Sequence, residues 1–133
     1  MIDHITLTVR DLAKSKVFYE KALAPLGMRV NFGSSDEEFW GFGMENASEL
    51  EVIAGRFFVS QSDVLHPLSP SVHIAFRAKT REEVRAFYIA ALGVGGQDNG
   101  APGPRTEYGE RYFAAFVKDP DGNNIEAVTF AAE

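Results

Sequence analysis

The sequence predicts an α+β chain built from two copies of a β-α-β-β-β module. Three observations predict it. The first is an internal repeat: the segment from His4 to Gly27, moved forward 69 positions, falls on His73 to Gly96 with seven identities over 24 positions, where chance gives roughly one or two. His4 meets His73, Ile5 meets Ile74, Phe18 and Tyr19 meet Phe87 and Tyr88, and Gly27 meets Gly96. The second is the switch in each copy from two-residue alternation to helical spacing of apolar residues. The third is turn chemistry that separates short apolar runs in both halves. A period this long, present twice, is not a solenoid; it describes two similar modules around a shared site.

In the first copy Ile5, Leu7 and Val9 face one side, and His4, Thr6 and Thr8 the other, as in a half-buried strand. Asp11 is positioned to cap a helix running to about Leu26, with Leu12, Tyr19, Ala22, Leu23 and Leu26 on its apolar face and Pro25 and Gly27 ending it. Met28 to Phe32, Phe39 to Met44 and Leu50 to Ala54 read as the remaining strands. The first module spans about residues 1–59, and the polar, proline-bearing stretch 60–70 is a connector.

The second module, about 71–130, opens with His73 to Ala78, where His73, Ala75 and Arg77 share a face opposite Ile74, Phe76 and Ala78. Thr80-Arg81-Glu82-Glu83 is a capping box for a helix carrying Val84, Phe87, Tyr88, Ala91 and Leu92, stopped by Gly93, Gly95 and Gly96. Residues 98–110 read as a long glycine- and proline-rich loop. Tyr112 to Val117 and Ile125 to Phe130 are strands joined by the tight turn Asp119-Pro120-Asp121-Gly122. All 133 residues form one domain.

Composition excludes several functions. Without cysteine there are no disulfides, thiolate ligands or cysteine nucleophile. A net charge of −6 argues against nucleic acid, which needs a basic stripe. No apolar run approaches the roughly 20 residues of a membrane span, and no signal peptide precedes Asp3, so a cytoplasmic location is expected. There is no phosphate-binding glycine loop and no nucleophilic triad.

His4 and His73 occupy equivalent strand starts, and Glu126 interrupts the apolar last strand, where a lone carboxylate is costly to bury. Two histidines and a carboxylate that converge bind a divalent metal and leave positions open for substrate. The plainer reading is two backbone-bonded histidines and a partly solvated glutamate; histidine at both repeat-equivalent positions weighs against it. Tyr112 and Arg105, in or beside the long loop, are candidates to line the site, with Arg105 facing an anionic substrate.

The runs Asp3-His4-Ile5-Thr6-Leu7-Thr8-Val9-Arg10-Asp11-Leu12, Phe18-Tyr19, His73-Ile74-Ala75-Phe76 and Phe116-Val117-Lys118-Asp119-Pro120-Asp121-Gly122-Asn123-Asn124-Ile125-Glu126 resemble the vicinal oxygen chelate superfamily over nearly the whole chain. That group includes glyoxalase I, fosfomycin-resistance transferases, bleomycin-binding proteins, methylmalonyl-CoA epimerase and extradiol dioxygenases. The resemblance implies eight strands curled into a cup, a divalent ion (Zn, Ni, Mn or Fe) held by His4, His73 and Glu126, and a homodimer. Glyoxalase-like members add a glutamate from the last strand of the first module; Glu51 is the candidate here, with Glu49 beside it. The implied activity is of isomerase or lyase type on a small substrate with vicinal oxygens, with Glu126 or Glu51 as the base. A ring-cleaving dioxygenase would use the same three ligands, and a thiol transferase His4, Thr6, His73 and Glu126. A metal-free drug-binding protein of the bleomycin-resistance type is the reading from another class.

Overall fold

A computed structural model describes residues 2–45 and 57–133. Two four-stranded mixed sheets and two helices make up an α+β fold, matching the expected class. The first sheet comprises β1 (Ile5–Val9), β2 (Met28–Ser34), β3 (Phe39–Met44) and β4 (Phe57–Gln61) in the order β1-β4-β3-β2. The second comprises β5 (His73–Arg77), β6 (Gln97–Pro104), β7 (Phe113–Lys118) and β8 (Asn124–Thr129) in the order β5-β8-β7-β6. In each sheet the first strand pairs parallel with the last, and the other pairings are antiparallel. The duplication seen in the sequence is therefore a duplication of topology.

The helices form where the sequence places them. Asp11 accepts a hydrogen bond from the Lys14 amide and caps α1 (Leu12–Leu23), which tightens into a 3-10 turn at Ala24–Leu26. Gly27 then turns the chain at φ +78°, a left-handed conformation that glycine adopts without steric cost. Thr80 caps α2 (Arg81–Gly93) by accepting from the Glu83 amide, while the Glu83 carboxylate reaches back to the Lys79 amide.

The two helices pack on each other and on the inner faces of both sheets. Phe18, Tyr19, Leu23, Phe57, Val84, Phe87 and Ile125 are fully buried in this common core. Tyr19 packs edge-on against Phe57 at 4.8 Å between centroids, and Phe57 meets Phe76 of the second module at 5.2 Å. Each such ring contributes about 2–3 kcal/mol by leaving water, so neither half keeps its stability alone. A polar link crosses the same boundary: the buried Tyr19 hydroxyl donates to Asp119 Oδ2 at 2.5 Å. Asp119 also accepts from the amides of Asp121 and Asn123 and from Asn123 Nδ2, which closes the turn before β8.

Two expectations change. The first part of the stretch read as a loop, residues 98–104, belongs to β6, which pairs antiparallel with β7 through two register shifts. Pro102 and Pro104 lack amide donors, and a sheet edge that needs none on one side accepts them. The strand closing the first module is Phe57–Gln61, so it takes up the start of the stretch read as connector. The strand expected at Leu50 to Ala54 lies outside the described residues.

Candidate functional site

The outer face of the second sheet is set by strand parity. His73, Ala75 and Arg77 of β5 lie beside Asn124, Glu126 and Val128 of β8, and Phe116 of β7 stands opposite Glu126. Ile74, Phe76, Ile125 and Ala127 point the other way, into the core. The alternation that makes β8 a strand thus delivers Glu126 to the outer face while its neighbours anchor the backbone.

Glu126 is 1% exposed and, among the described residues, is the one carboxylate in the set of large, fully buried side chains. Both of its oxygens are engaged by side chains. His73 Nε2 lies 2.8 Å from Oε2, and the Tyr112 hydroxyl donates to Oε1 at 2.5 Å. His73 itself remains half exposed, with its side chain at 53%. Burial of the Tyr112 phenol, followed by the hydrogen bond to and charge of Glu126, pushes its pKa up to about 12, against a smaller downward pull from Arg77. Tyr112 is held in place by edge-on contacts with Tyr108 and Phe130, at 5.4 and 5.3 Å.

The first sheet carries a counterpart with different chemistry. Thr6 pairs with Phe58 as Ala75 pairs with Glu126, so Phe58 holds the place of Glu126 beside His4. The His4 ring packs edge-on against Phe58 at 5.7 Å, and its Nδ1 is 2.8 Å from Asp3. A bulge between Val30 and Phe32 turns Phe32 from the core side to this outer face, where it joins Phe39 and Phe58. Gly41 leaves room for the Phe58 ring; a Cβ there would sit 2.7 Å from Phe58 Cε1.

Among the expected site residues, the chain brings together His73, Glu126 and Tyr112. His4 and Thr6 stand on the first sheet, and Glu51 lies outside the described residues. Arg105 stacks over Phe116, the ring opposite Glu126, and its guanidinium donates to the carbonyls of Ala101 and Pro104. Among the described residues, no three His, Asp or Glu side chains gather into a group that could hold a metal. The donors His73 Nε2 and Glu126 Oε2 suit a divalent cation in type and spacing and supply two of the three ligands expected. Phe58 and Arg77 were not singled out from the sequence. The repeat held the signal for Phe58: carrying the 69-residue offset back from Glu126 lands on Phe57, one position away.

A cavity of about 610 Å³ opens between the modules and is lined by Ile5, Met28, Met44, Phe57, His73 and Arg77 among others. No helix among the described residues is long and apolar enough to cross a membrane.

Comparisons with known proteins agree with this architecture. A glyoxalase/bleomycin resistance protein from Albidiferax ferrireducens is 27% identical, with 96% of this chain and 97% of that one covered and a TM-score of 0.77. A glyoxalase-related enzyme from Fulvimarina pelagi (20% identity, 97% and 87% covered, TM-score 0.66) and the fosfomycin resistance protein FosX from Mesorhizobium loti (19%, 99% and 93%, 0.63) share the fold. The family model for the Glyoxalase/Bleomycin resistance protein/Dioxygenase superfamily matches residues 1–127, and the chain belongs to that superfamily.

Proposed function

We propose that the protein is a glyoxalase-like metalloenzyme, a lyase or isomerase acting on a small substrate with vicinal oxygens. The observation that carries this reading is Glu126: a buried carboxylate whose partners are a histidine and a tyrosine, with no lysine or arginine paired to it among the described residues. Burying a charge without a compensating one is costly, and a divalent cation beside His73 would compensate it. When bound, such a cation supplies Lewis acidity toward the substrate's vicinal oxygens.

The chain's own groups then have separate duties. His73 and Glu126 would hold the cation, and Tyr112, by donating to Oε1, fixes the carboxylate's orientation. The base that moves a proton α to a carbonyl would be Glu126 or Glu51. His4 completes the ligand set from a second copy of the chain, which makes the functional unit a homodimer. Among the described residues β5 pairs with β8 alone and leaves its other side as a sheet edge, which fits association, whereas the Thr8 backbone of β1 is already bonded to Ser69.

Metal analysis of protein purified without an affinity tag tests the reading. About one divalent ion per chain, lost in His73→Ala, together with metal-dependent exchange of the α-proton of small α-hydroxy ketones into deuterated water, is the expected result. Absence of both a bound ion and a titratable site overturns it.

The second reading, a metal-free small-molecule binding protein, is favoured by the Phe32, Phe39 and Phe58 rings, which give the first module an aromatic wall where a further carboxylate would stand. Retained affinity for a planar aromatic compound in His73→Ala would select it.

A further inference from the structure

We propose that Arg77 is the specificity-determining residue of this site and recognises a carboxylate at the far end of the substrate. The inference rests on the reading of His73 and Glu126 as the place where the vicinal oxygens bind.

Arg77 shares the outer face of β5 with His73, two positions along that face, and both residues are among those that border the cavity between the modules. Its guanidinium sits over the Phe130 ring, 4.6 Å from the centroid, and among the described residues no carboxylate pairs with it. A guanidinium fixed by an aromatic face keeps its fork of N–H donors for a ligand. Phe130 is the ring that packs on Tyr112, and Tyr112 bonds Glu126, so Arg77, Phe130, Tyr112, Glu126 and His73 form one continuous contact series.

Arg105 is less suited, because two of its nitrogens are committed to backbone carbonyls of β6, the strand it follows. The overall charge of −6 does not attract an anion from a distance, so recognition must come from a local cation. Four residue steps along the strand set His73 and Arg77 about 13 Å apart between Cα atoms. The arginine side chain spans part of that distance, which leaves room for a chain of a few carbons between the vicinal oxygens and the distal carboxylate.

Matched acids test this by titration calorimetry with Ni²⁺-loaded protein: 2-oxoglutarate against 2-oxopentanoate, and 2-oxoadipate against 2-oxohexanoate. Each pair shares its vicinal oxygens and differs in the distal carboxylate. The expected result is that at least one diacid binds roughly tenfold or more tighter than its partner, as a charge-assisted bidentate contact gives. Arg77→Gln should erase that preference and leave monoacid binding unchanged, while Arg105→Gln keeps it. Equal affinity within both pairs in the unaltered protein, or a preference that survives Arg77→Gln, overturns the assignment. The same titrations without Ni²⁺ separate the two claims. Monoacid affinity indifferent to the metal counts against the metalloenzyme reading, whereas diacid preference with and without Arg77 decides the role of Arg77 in either case.

Discussion

His73 Nε2 lies 2.8 Å from Glu126 Oε2, although the two residues are not opposite each other in the β5–β8 pair. His73 pairs with Asn124 and Glu126 with Ala75, so the histidine reaches diagonally across the small Ala75–Glu126 position. The contact is made by side chains on the outer face, and the backbone ladder does not depend on it. Glu126→Gln should therefore keep the fold and lose the cation: the amide replaces the carboxylate in shape but carries no charge. The expected outcome is a melting temperature within a few degrees of the unaltered protein and Ni²⁺ affinity reduced by at least about tenfold. Calorimetric titration beside a thermal melt checks both, and unchanged Ni²⁺ affinity would remove Glu126 from the ligand set.

The Tyr112 phenol gives a pH signature. Its pKa is pushed up to about 12 in the folded chain, from 10.0 for the free side chain. Burial and Asp119 also hold Tyr19 well above its ordinary value. Between these values the unfolded chain has released protons that the folded chain retains, so stability falls as pH rises from about 10 toward 12. Urea midpoints measured from pH 9 to 11.5 should decline, and Tyr112→Phe should make the decline shallower. A variant with the same slope would show that Tyr112 is not shielded.

Tyr19 and Asp119 tie α1 to the β7–β8 turn across the module boundary. Tyr19→Phe keeps the ring among Phe18 and Phe57 and removes only the hydroxyl. Asp119 keeps three other donors, so the loss is that of one hydrogen bond to a charged acceptor, about 1.5–3 kcal/mol. Urea unfolding followed by far-UV circular dichroism measures it; a change below about 0.5 kcal/mol would mean the hydroxyl is equally well served by water.

What the sequence made legible follows from which signals are local. Capping by Asp11 and Thr80 and the parity of β1 and β5 are set within a few residues, and the structure has them as read. The repeat supplied the topology. Phe18, left out of the expected helix stripe, is buried because α1 packs against α2 as well as a sheet, which widens the apolar face beyond one stripe. β6 was illegible because its glycines and prolines argue for a loop, and only pairing with β7 overrides them. The aromatic wall was equally hidden: Phe32 faces outward through a bulge, and a bulge is a property of two strands together. Of the candidate site, His73, Glu126 and Tyr112 were each singled out from the sequence, but their hydrogen bonds to one another depend on register that no single strand encodes.

In the proposed metal site His4 acts from a second chain. On its own sheet it contacts Asp3 and Phe58. If it serves a site in a second copy, His4→Ala and His73→Ala proteins should each fail to bind Ni²⁺, and their mixture should recover it. Random re-pairing makes half of the dimers mixed, and each mixed dimer carries one intact site of two, so binding should return to about one quarter. Sedimentation equilibrium establishes the dimer first. No recovery on mixing, with re-pairing verified by mass, would place both histidines in the site of one chain or remove His4 from it.

Phe58 decides between the chemistries that this fold supports. It occupies the position in β4 that Glu126 occupies in β8, so the last strand of the first module presents a ring where a fourth, carboxylate ligand would be expected. If the chain nevertheless performs proton transfer that needs two carboxylates, the second must come from elsewhere, and Glu51 is the remaining candidate from the sequence. Glu51→Gln should then lower proton transfer by roughly 10² to 10⁴ with the metal retained. If Glu51 has no such role, that change is silent, and the three-ligand readings, or a metal-free binder, gain. Phe58→Glu supplies the complementary test. Phe58 is partly exposed, and its loss removes edge contacts with Phe32 and Phe39 at a cost of about 1–2 kcal/mol, so the variant should fold. It should also bring a carboxylate beside His4 and raise Ni²⁺ affinity by about tenfold or more. Silent Glu51→Gln together with tighter Ni²⁺ in Phe58→Glu would mark a site that lacks a fourth ligand in its natural state. Loss of activity in Glu51→Gln with no gain in Phe58→Glu would mark one whose fourth ligand is already Glu51.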